Sequence, residues 1–392
     1  MDPRDPRFHD DPPRRASYWE SLSDGRIHCT LCPHGCRVPD GSLGACGVRV
    51  NRRGILYTLV YNRVVARQVD PIEKKPLFHF LPGSLTYSIS TVGCALRCAF
   101  CQNWELSQWP KRRLPHHVEW ESIEEPFGVC PQLARLGEAI PGEPVTPEEI
   151  VEAALTSGAA SIAYTYAEPT VFFELARDTA ALAREAGLRN VLVTSGFICE
   201  EPLRDLAPLL DAVNVDLKFF CEETYRRVSR ARRDPVLEAI RIFHDLGVWT
   251  EITTLVVPGL NDSDGELRRM AGYIRSVGPE IPWHVSRFHP AFEMWDRPPT
   301  PLATLQRARE LGLEAGLRYV YQGNAPGGTG EDTPCPACGA ILLARTSFFL
   351  RANRVRGGCC PECGTPLDGV DLDGADGRAA GGGKGRIRLV SA

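Results

Sequence analysis

The sequence lacks the features that place a protein in or across a membrane. No run of eighteen or more of its 392 residues is apolar, which predicts that no helix spans a bilayer. The start, MDPRDPRFHDDPPRRASYWE, carries charges and prolines where a signal peptide has an apolar core. We therefore expect a cytoplasmic protein with no membrane partner.

The chain also lacks an excess of charge of either sign. Its 45 Lys and Arg residues against 49 Asp and Glu give a net charge of −4. A value this small gives no general electrostatic reason to expect nucleic acid as a partner. Hydrophobic residues make up 43% of the sequence, so a chain of this length can bury one large core and carry smaller modules beside it.

Cysteine, in contrast, is abundant. Most of the fifteen Cys residues fall in three short groups, in a sequence that shows no secretion signal. In a reducing compartment such groups favour metal ligation over disulfide formation. The composition therefore points to metal chemistry.

The pattern between about residues 85 and 324 predicts an α/β fold. Short β-branched runs alternate there with amphipathic helical stretches, as in repeated βα units around a parallel sheet. The span is close to the roughly 250 residues of a (β/α) barrel. The expected strands are Thr86–Thr91, Ser161–Tyr166, Asn190–Thr194, Ala212–Leu217, Trp249–Val257, Pro282–Phe288 and Arg318–Tyr321.

Composition divides the chain around this barrel, which we place at residues 84–330. A Pro-rich insertion at 109–147 interrupts the barrel and is expected to have little regular structure; with Trp104 and Gln108 it could cover a site. The flanking segments are a mobile arm at 1–17, a Cys-rich module with linking strands at 18–83, a second Cys-rich module at 331–371 and a disordered tail at 372–392.

The loop after the first barrel strand carries Cys94, Cys98 and Cys101 in a CxxxCxxC spacing. A cubane iron–sulfur cluster has four irons, so three thiolates leave one iron open to a ligand that is not protein. Structural zinc is the alternative, but such a site is closed by four ligands. The fourth would have to come from Cys130 or from the pair His116-His117.

This loop, with Phe100 before its last cysteine, resembles the signature of the radical S-adenosylmethionine (radical SAM) enzymes. The resemblance implies a partial (β/α)6-type barrel and a [4Fe-4S] cluster held by Cys94, Cys98 and Cys101. It also implies that SAM chelates the fourth iron and that an external electron donor drives its cleavage. The product, a 5′-deoxyadenosyl radical, would abstract hydrogen from a substrate, with Phe100 against the adenine.

Polar residues close the next two predicted strands, at the end where parallel barrels carry their function. Glu168, followed by Pro169, resembles the end of the family's Gly-Gly-Glu-Pro motif, which meets the SAM amino group, although Tyr166 and Ala167 replace the two glycines. A carboxylate at a helix start is the alternative for Glu168. Thr194 in VTSG resembles the Asp-Thr-Asn-Gly motif of activating enzymes, with a plain turn as the alternative.

Two later strand ends carry further candidate SAM contacts. Asp216 and Lys218 resemble an Asp-x-Lys motif, and strand alternation places both on one face. A structural salt bridge inside the barrel is the alternative for this pair. His289 in SRFHP matches a SAM-contacting histidine of the family, with a turn residue as the alternative.

Two four-cysteine sets flank the barrel. The C-terminal set forms CPxCG…CPxCG, the pattern of a zinc ribbon, with rubredoxin-like iron as the alternative metal; its members are Cys335, Cys338, Cys360 and Cys363. The N-terminal set is Cys29, Cys32, Cys36 and Cys46. Zinc fits its count of four, and we favour zinc slightly, whereas an auxiliary iron–sulfur cluster fits its short, uneven spacing and could carry electrons to the reactive cluster. The remaining Cys130, Cys199, Cys221 and Cys359 are expected to be ordinary thiols.

Motifs spread from Cys29 to Gly364 narrow the resemblance. They include CTLCPHGC, DPIEKKPLFHFLPGS, YTYAEPT, VDLK, VVPGLND and SRFHP, and together they resemble the AmmeMemoRadiSam system radical SAM enzymes, a branch close to pyruvate formate-lyase activating enzymes. The family name implies Memo-like and AMMECR-type partners. Two alternatives stay open. One is a glycyl-radical-enzyme activase; the other is a non-catalytic zinc-ribbon protein that contacts RNA through Arg345, Arg351, Arg354 and Arg356.

Overall fold

The computed structural model describes residues 14–117, 136–325 and 330–373. Cys130, most of the expected arm at 1–17, the middle of the insertion and nearly all of the tail lie outside these ranges. Within them, no helix is both long enough and apolar enough to span a bilayer.

The N-terminal part consists of short antiparallel strands. They are β1 (Arg14–Arg15), β2 (Trp19–Ser21), β3 (Ile27–Cys29), β4 (Arg37–Val38), β5 (Arg49–Arg52), β6 (Ile55–Thr58) and β7 (Arg63–Val64). They form two three-stranded sheets in the orders β1-β6-β5 and β2-β3-β4. The described part of the expected arm at 1–17 is ordered, because Arg14 and Arg15 pair with β6 and Ala16 is buried.

A single eight-stranded sheet forms the centre of the protein. The strands that follow β7 are β8 (Ala66–Pro71), β9 (Leu85–Ser90), the short β10 (Glu143–Pro144), β11 (Ser161–Tyr164), β12 (Arg189–Thr194), β13 (Ala212–Asp216), β14 (Trp249–Val256), β15 (Trp283–Arg287) and β16 (Val320–Gly323). The central sheet has the order β16-β15-β14-β13-β12-β11-β9-β8, while β10 pairs with β7.

Seven strands of this sheet are parallel, and their positions confirm the expected strands with ends shifted by one or two residues. The eighth strand, β8, is antiparallel to β9. The expected N-terminal module therefore contributes an edge strand to the main sheet. Among the described residues the edge strands β8 and β16 do not pair with each other, so the sheet stays open.

Helices connect the parallel strands and cover the sheet. They are α1 (Trp104–Ser107), α2 (Trp109–Arg113), α3 (Pro147–Thr156), α4 (Phe173–Glu185), α5 (Glu200–Leu206), α6 (Glu222–Thr224), α7 (Arg233–Asp245), α8 (Asp264–Val277) and α9 (Leu302–Glu314). A capping box between Thr146 and Glu149 starts α3, as the sequence Thr-Pro-Glu-Glu predicts. The insertion differs from expectation at its start, because residues 109–113 are helical.

The C-terminal module docks on the underside of the sheet. Its strands are β17 (Thr333–Pro334), β18 (Ile341–Thr346) and β19 (Phe349–Asn353). Arg345 does not belong to a basic surface, as the RNA-binding alternative required: its guanidinium is buried, donates to the Phe78 carbonyl at 2.7 Å and lies 3.8 Å from Glu73. The other three arginines of that spacer are exposed.

A buried carboxylate explains why the segment LFHF crosses beneath the sheet. Glu251 of β14 accepts hydrogen bonds from the backbone amides of Phe78 and His79, and from the side chains of Trp249 and His284. His79 in turn donates through Nδ1 to the Asp368 carbonyl at 2.7 Å. Since a buried charge requires several such partners, this network fixes the segment and the C-terminal module to one sheet.

Candidate functional site

The three-cysteine loop leaves β9 by a turn that only glycine makes easily. Gly93 has a φ of +103°, and its amide donates to the Leu106 carbonyl at 3.1 Å. A Cβ atom at this position would lie 2.7 Å from the Val48 side chain and 3.4 Å from the Cys46 carbonyl oxygen. The N-terminal part therefore packs directly against the root of the loop.

Backbone groups of the loop are bound from two sides. On one side, the Leu96 carbonyl accepts from Gln108 at 3.2 Å and from the Lys111 ammonium at 2.7 Å. On the other, the amides of Arg97 and Ala99 donate to the Ser229 and Val228 carbonyls. Gln108 and α2 thus support the loop, whereas the sequence placed them in a cover.

The element that receives those two amides is a π-helix at Tyr225–Ser229. It ends at Arg230 in the left-handed conformation, with φ of +55°. Single-turn π-helices occur often at functional sites, and here the wider turn presents two carbonyl groups to the loop.

Burial governs the ionisation of the loop thiols. It raises the pKa of Cys94 far above its usual value, and Lys111 opposes the rise while Glu168 adds to it. Burial also raises the pKa of Cys98 to about 11, although Lys218 opposes this rise. The structure therefore brings three of the predicted strand-end residues, Glu168, Asp216 and Lys218, within electrostatic range of the cysteines.

Glu168 and Thr194 meet at the ends of β11 and β12. The buried Glu168 carboxylate accepts from the Thr194 hydroxyl at 2.6 Å and from the Ser195 amide at 2.8 Å. It also accepts from the amide and hydroxyl of Thr170, so it caps the 3-10 turn Pro169–Phe172 as well. The predicted residue thus lies in the ring of strand ends and has a structural role there.

Tyr166 occupies a position where the family motif has glycine, and it keeps the left-handed backbone with φ of +64°. Its hydroxyl donates to Asp70, and its ring lies 4.5 Å from the Lys75 ammonium. Burial lowers the pKa of Lys75 to about 8, an effect that Asp70, 2.6 Å away, opposes. These side chains stabilise a backbone conformation that costs a bulky residue about 1–2 kcal/mol.

Asp216 and Lys218 form an ion pair at 3.0 Å beside the reactive loop. The Lys218 ammonium lies 5.9 Å from the centroid of the Phe100 ring. Burial lowers the pKa of Lys218, but Asp216 and Cys98 outweigh burial and hold it above its usual value. The lysine is therefore charged, and the predicted residues Asp216, Lys218 and Phe100 form one cluster with Cys98.

His289 is not part of this cluster. It is exposed after β15 and makes no hydrogen bond or ion pair within the described ranges. Nearby, Trp104 stacks on Phe292 with ring centroids 5.5 Å apart, and Trp295 is 67% exposed. With Arg97, Arg112 and Glu293 they line an open cavity of about 440 Å³ at the edge of the cysteine loop.

Comparisons with known proteins agree with this geometry. The model of the radical SAM superfamily matches residues 88–271, which include the loop and the strand ends through β14. The uncharacterized protein MJ0808 of Methanocaldococcus jannaschii is 40% identical over 358 residues, covering 91% of this chain and 99% of that protein. The chain belongs to the radical SAM superfamily. It is a radical SAM enzyme with an unidentified substrate.

Solved structures resemble parts of this radical SAM enzyme. A domain of pyruvate-formate lyase-activating enzyme from Bacteroides vulgatus is 15% identical, with a TM-score of 0.37, over 42% of this chain and all of that one. A radical SAM methyltransferase from Sphaerobacter thermophilus is 18% identical, with a TM-score of 0.43, over 64% of this chain and 71% of that one.

The loop of this radical SAM enzyme fits the [4Fe-4S] cluster that the superfamily implies. In the described ranges, the sulfurs of Cys94, Cys98 and Cys101 are not gathered within 4.8 Å of one another, as ligands of a single ion are. His116 and His117, considered as a fourth ligand, pack on Ser42 and Leu43 instead. Three separated thiols, with no fourth ligand among the described residues, suit a cluster that keeps one iron open to SAM.

The C-terminal cysteines form a compact site of a different kind. The sulfurs of Cys335, Cys338, Cys360 and Cys363 all lie within 4.8 Å of one another, so the group could bind a metal. Cys335 and Cys363 are 3.6 Å apart, and Cys338 and Cys360 are 3.7 Å apart. Cys359 is not a member, in agreement with the symmetry of the two CPxCG turns.

Several supports of the radical SAM site were not anticipated from sequence. The His34 ring donates through Nε2 to the Ala95 carbonyl at 2.8 Å, and Lys111 binds the next carbonyl. The π-helix carried no signal that periodicity detects. For His34, the only hint in the sequence was its place between the ligand candidates Cys32 and Cys36.

Proposed function

We propose that this protein is an AmmeMemoRadiSam system radical SAM enzyme, which abstracts hydrogen from a small molecule or from a substrate held by a partner protein. The observation that carries the proposal is the loop of Cys94, Cys98 and Cys101, with three separated thiols beside a cluster of buried charges. The finer assignment rests on the motif order along the chain, which resembles that of the branch.

The chain's own residues prepare the site in three ways. Cys94, Cys98 and Cys101 would each bind one iron, and hydrogen bonds to the carbonyls of Ala95 and Leu96 hold the loop that presents them. When bound, the cluster and SAM would supply the one-electron chemistry that yields a 5′-deoxyadenosyl radical. Lys218 places a positive charge next to Cys98, which favours the thiolate form that binds iron.

The strand-end residues would orient SAM. Glu168 is held by Thr194 and Ser195, so its carboxylate is positioned before any ligand arrives. Phe100 is packed edge-on against Phe219 at 5.7 Å, which fixes a ring for the adenine to lie against. Asp216, at the carboxyl end of β13, is 39% exposed and so accessible to SAM or substrate. His289, which is exposed, is proposed as a further SAM contact.

Substrate access is proposed through the cavity beside the loop. It is lined by Arg97, which belongs to the CxxxCxxC segment and lies 3.8 Å from Glu293, and by the stacked Trp104 and Phe292. With Arg112, the lining carries two positive charges against one negative charge, which favours an anionic group, and the aromatic rings favour a flat one. These features support a substrate that is planar and negatively charged.

The partners and the remaining metal complete the proposal. An external one-electron donor must supply reducing equivalents, and the family resemblance adds Memo-like and AMMECR-type proteins as partners. Zinc is proposed for the C-terminal set, because sulfurs 3.6 and 3.7 Å apart match a tetrahedral ion with Zn–S bonds of about 2.3 Å. That site would stabilise the docked module.

Anaerobic reconstitution tests the reaction. The protein with iron and sulfide restored should cleave SAM to 5′-deoxyadenosine and methionine when dithionite is added. Cys98→Ala should abolish cleavage, whereas the matched control Cys221→Ala, in a thiol far from the loop in sequence, should retain it. Absence of cleavage by protein with a full iron content would contradict the proposal.

A glycyl-radical-enzyme activase is the second candidate, favoured by the Asp216–Lys218 pair at 3.0 Å. An activase would produce a glycyl doublet in the electron paramagnetic resonance spectrum of a co-expressed large enzyme. Product analysis with cell extract and deuterium-labelled candidates separates the two: transfer of deuterium to 5′-deoxyadenosine from a small molecule would favour the first.

A further inference from the structure

The N-terminal cysteines share one cavity but are not gathered around one point. Cys29, Cys32, Cys36 and Cys46 line the same partly open cavity. Nevertheless, within the described ranges, no three of their sulfurs lie within 4.8 Å of one another.

Sulfur spacing distinguishes the metals that four cysteines can hold. Four thiolates on one zinc ion, with Zn–S bonds of about 2.3 Å, stand about 3.8 Å apart. The thiolates of a [4Fe-4S] cluster bind four different irons and therefore stand farther apart. We propose that Cys29, Cys32, Cys36 and Cys46 hold a second iron–sulfur cluster, of the four-iron type.

A buried arginine on the same cavity provides independent support. Arg49 is 2% exposed and lines the cavity. Its Nη atoms donate to Glu174 and to the Ser17 carbonyl, but its Nε has no hydrogen-bond partner among the described residues. A fully buried unpaired donor is costly, and a cluster sulfur beside it would accept that hydrogen bond.

The second cluster would adjoin the radical SAM loop. His34, between Cys32 and Cys36, bonds to the Ala95 carbonyl, and the Cys46 carbonyl lies where a Cβ on Gly93 would contact it. The second cluster is therefore placed to pass electrons, an inference that rests on the proposed function. One electron from a reduced flavodoxin-type donor would reduce it, and it would return to its oxidised form by passing that electron to the radical SAM cluster.

Metal content of the full-length protein, purified and reconstituted without oxygen, tests the site directly. Two cubanes and one zinc ion would give about eight irons and one zinc per chain. About four irons with two zincs would overturn the proposal. If eight irons are present and SAM is not cleaved, the proposed function fails while this site stands.

Variants then assign the iron. Cys94→Ala/Cys98→Ala/Cys101→Ala should keep about four irons, and its dithionite-reduced cluster should give an electron paramagnetic resonance signal that SAM leaves unchanged. Loss of all iron from this variant would overturn the proposal. Cys32→Ala/Cys46→Ala should remove the other half of the iron. Cys199→Ala is the control and should keep all of the iron. Cys199 lies against Leu31 but does not line the cavity.

The relay has its own test. Cys32→Ala/Cys46→Ala should lose at least tenfold in SAM cleavage driven by reduced flavodoxin but less than threefold when dithionite, a small reductant, replaces it. If SAM cleavage fell equally with the two reductants, the electron relay would be refuted. The iron count alone would then decide which metal the site holds.

Discussion

The two four-cysteine sets of this radical SAM enzyme differ in what surrounds them. The C-terminal thiols Cys338 and Cys363 are exposed, and their set is compact. The N-terminal thiols line a cavity with a buried Arg49–Glu174 ion pair and adjoin the reactive loop. The number of cysteines is the same, so the count alone does not determine the metal. Spacing in three dimensions and contact with the reactive loop separate the two sites.

The difference also separates their roles. The C-terminal set lies in a module that packs against one end of the sheet, opposite the strand ends that carry Glu168 and Asp216. A metal there can stabilise the fold but is remote from the reactive loop. The N-terminal set contacts that loop through His34, so a metal there can affect the chemistry. The following predictions test this division, beginning with the largest effect.

Removing ligands from the C-terminal set should have the largest energetic effect. Cys338→Ala/Cys363→Ala should lose the zinc, whose binding contributes about 10 kcal/mol or more to the folding of small zinc modules. Strands β17 to β19 should then exchange their amide hydrogens faster, while the iron content stays the same. Cys359→Ala is the control and should keep zinc, since its sulfur is outside the group. Unchanged zinc in the double variant would refute the assignment.

Breaking the buried ion pair of the N-terminal set should rank second. Glu174→Gln leaves the Arg49 guanidinium buried and without a countercharge, which should lower the free energy of unfolding by about 3–5 kcal/mol. The matched control is Glu362→Gln, which removes the exposed partner of Arg354 in the C-terminal module. Since exposed pairs contribute little, urea unfolding should not detect that change. If Glu174→Gln and Glu362→Gln lowered the free energy of unfolding equally, the predicted contrast between the two modules would be wrong.

A third comparison of the two modules uses substitutions at two glycines with positive φ. Gly93→Ala places a Cβ 2.7 Å from Val48, so backbone strain and overpacking should together cost about 2–4 kcal/mol. Gly339→Ala in the C-terminal module meets no atom within 4 Å and should cost only about 1 kcal/mol of strain. Thermal unfolding measures both costs, and SAM cleavage should fall only in Gly93→Ala. A loss of cleavage in Gly339→Ala would contradict the proposed separation of roles.

Much of this arrangement could be predicted from local sequence patterns. The alternation of β-branched runs and helices located seven parallel strands, because each pattern reflects burial within a few residues. The CPxCG turns likewise predicted which four C-terminal cysteines lie together. Three features were missed for a common reason. The edge strand β8, the burial of Arg345 and the His34–Ala95 bond each depend on partners distant in sequence.

The site residues show the same limit. Asp216 and Lys218 are two residues apart, and strand alternation sufficed to place them together. The contact of Tyr166 with Asp70 joins residues 96 apart, and nothing in either segment indicates it. The roles of Glu168, Thr194 and His289 toward SAM remain predictions, because contacts within the protein do not reveal which atoms meet a ligand.

The smallest predicted effect is a pH dependence of the C-terminal docking. Burial lowers the pKa of His79 to about 4, below the value near 6.5 of an unfolded chain. As pH falls below 6.5, the unfolded state binds a proton that the folded state does not, so stability decreases with acid. With these two values, the loss between pH 7 and pH 5 is about 2 kcal/mol.

The His79 ring donates through Nδ1 to the Asp368 carbonyl and accepts at Nε2 from the Tyr321 hydroxyl at 2.6 Å, and protonation of Nε2 would remove the second of these bonds. Acid should therefore loosen the C-terminal module first, while the Arg49–Glu174 pair keeps the N-terminal set in place. Hydrogen exchange at pH 5 should increase in β17 to β19 before β3 to β6. His79→Gln, which cannot titrate, should show a smaller fall in stability over the same range. An equal fall in both proteins would show that His79 does not govern the docking, and the two modules would then differ in their metals but not in their response to acid.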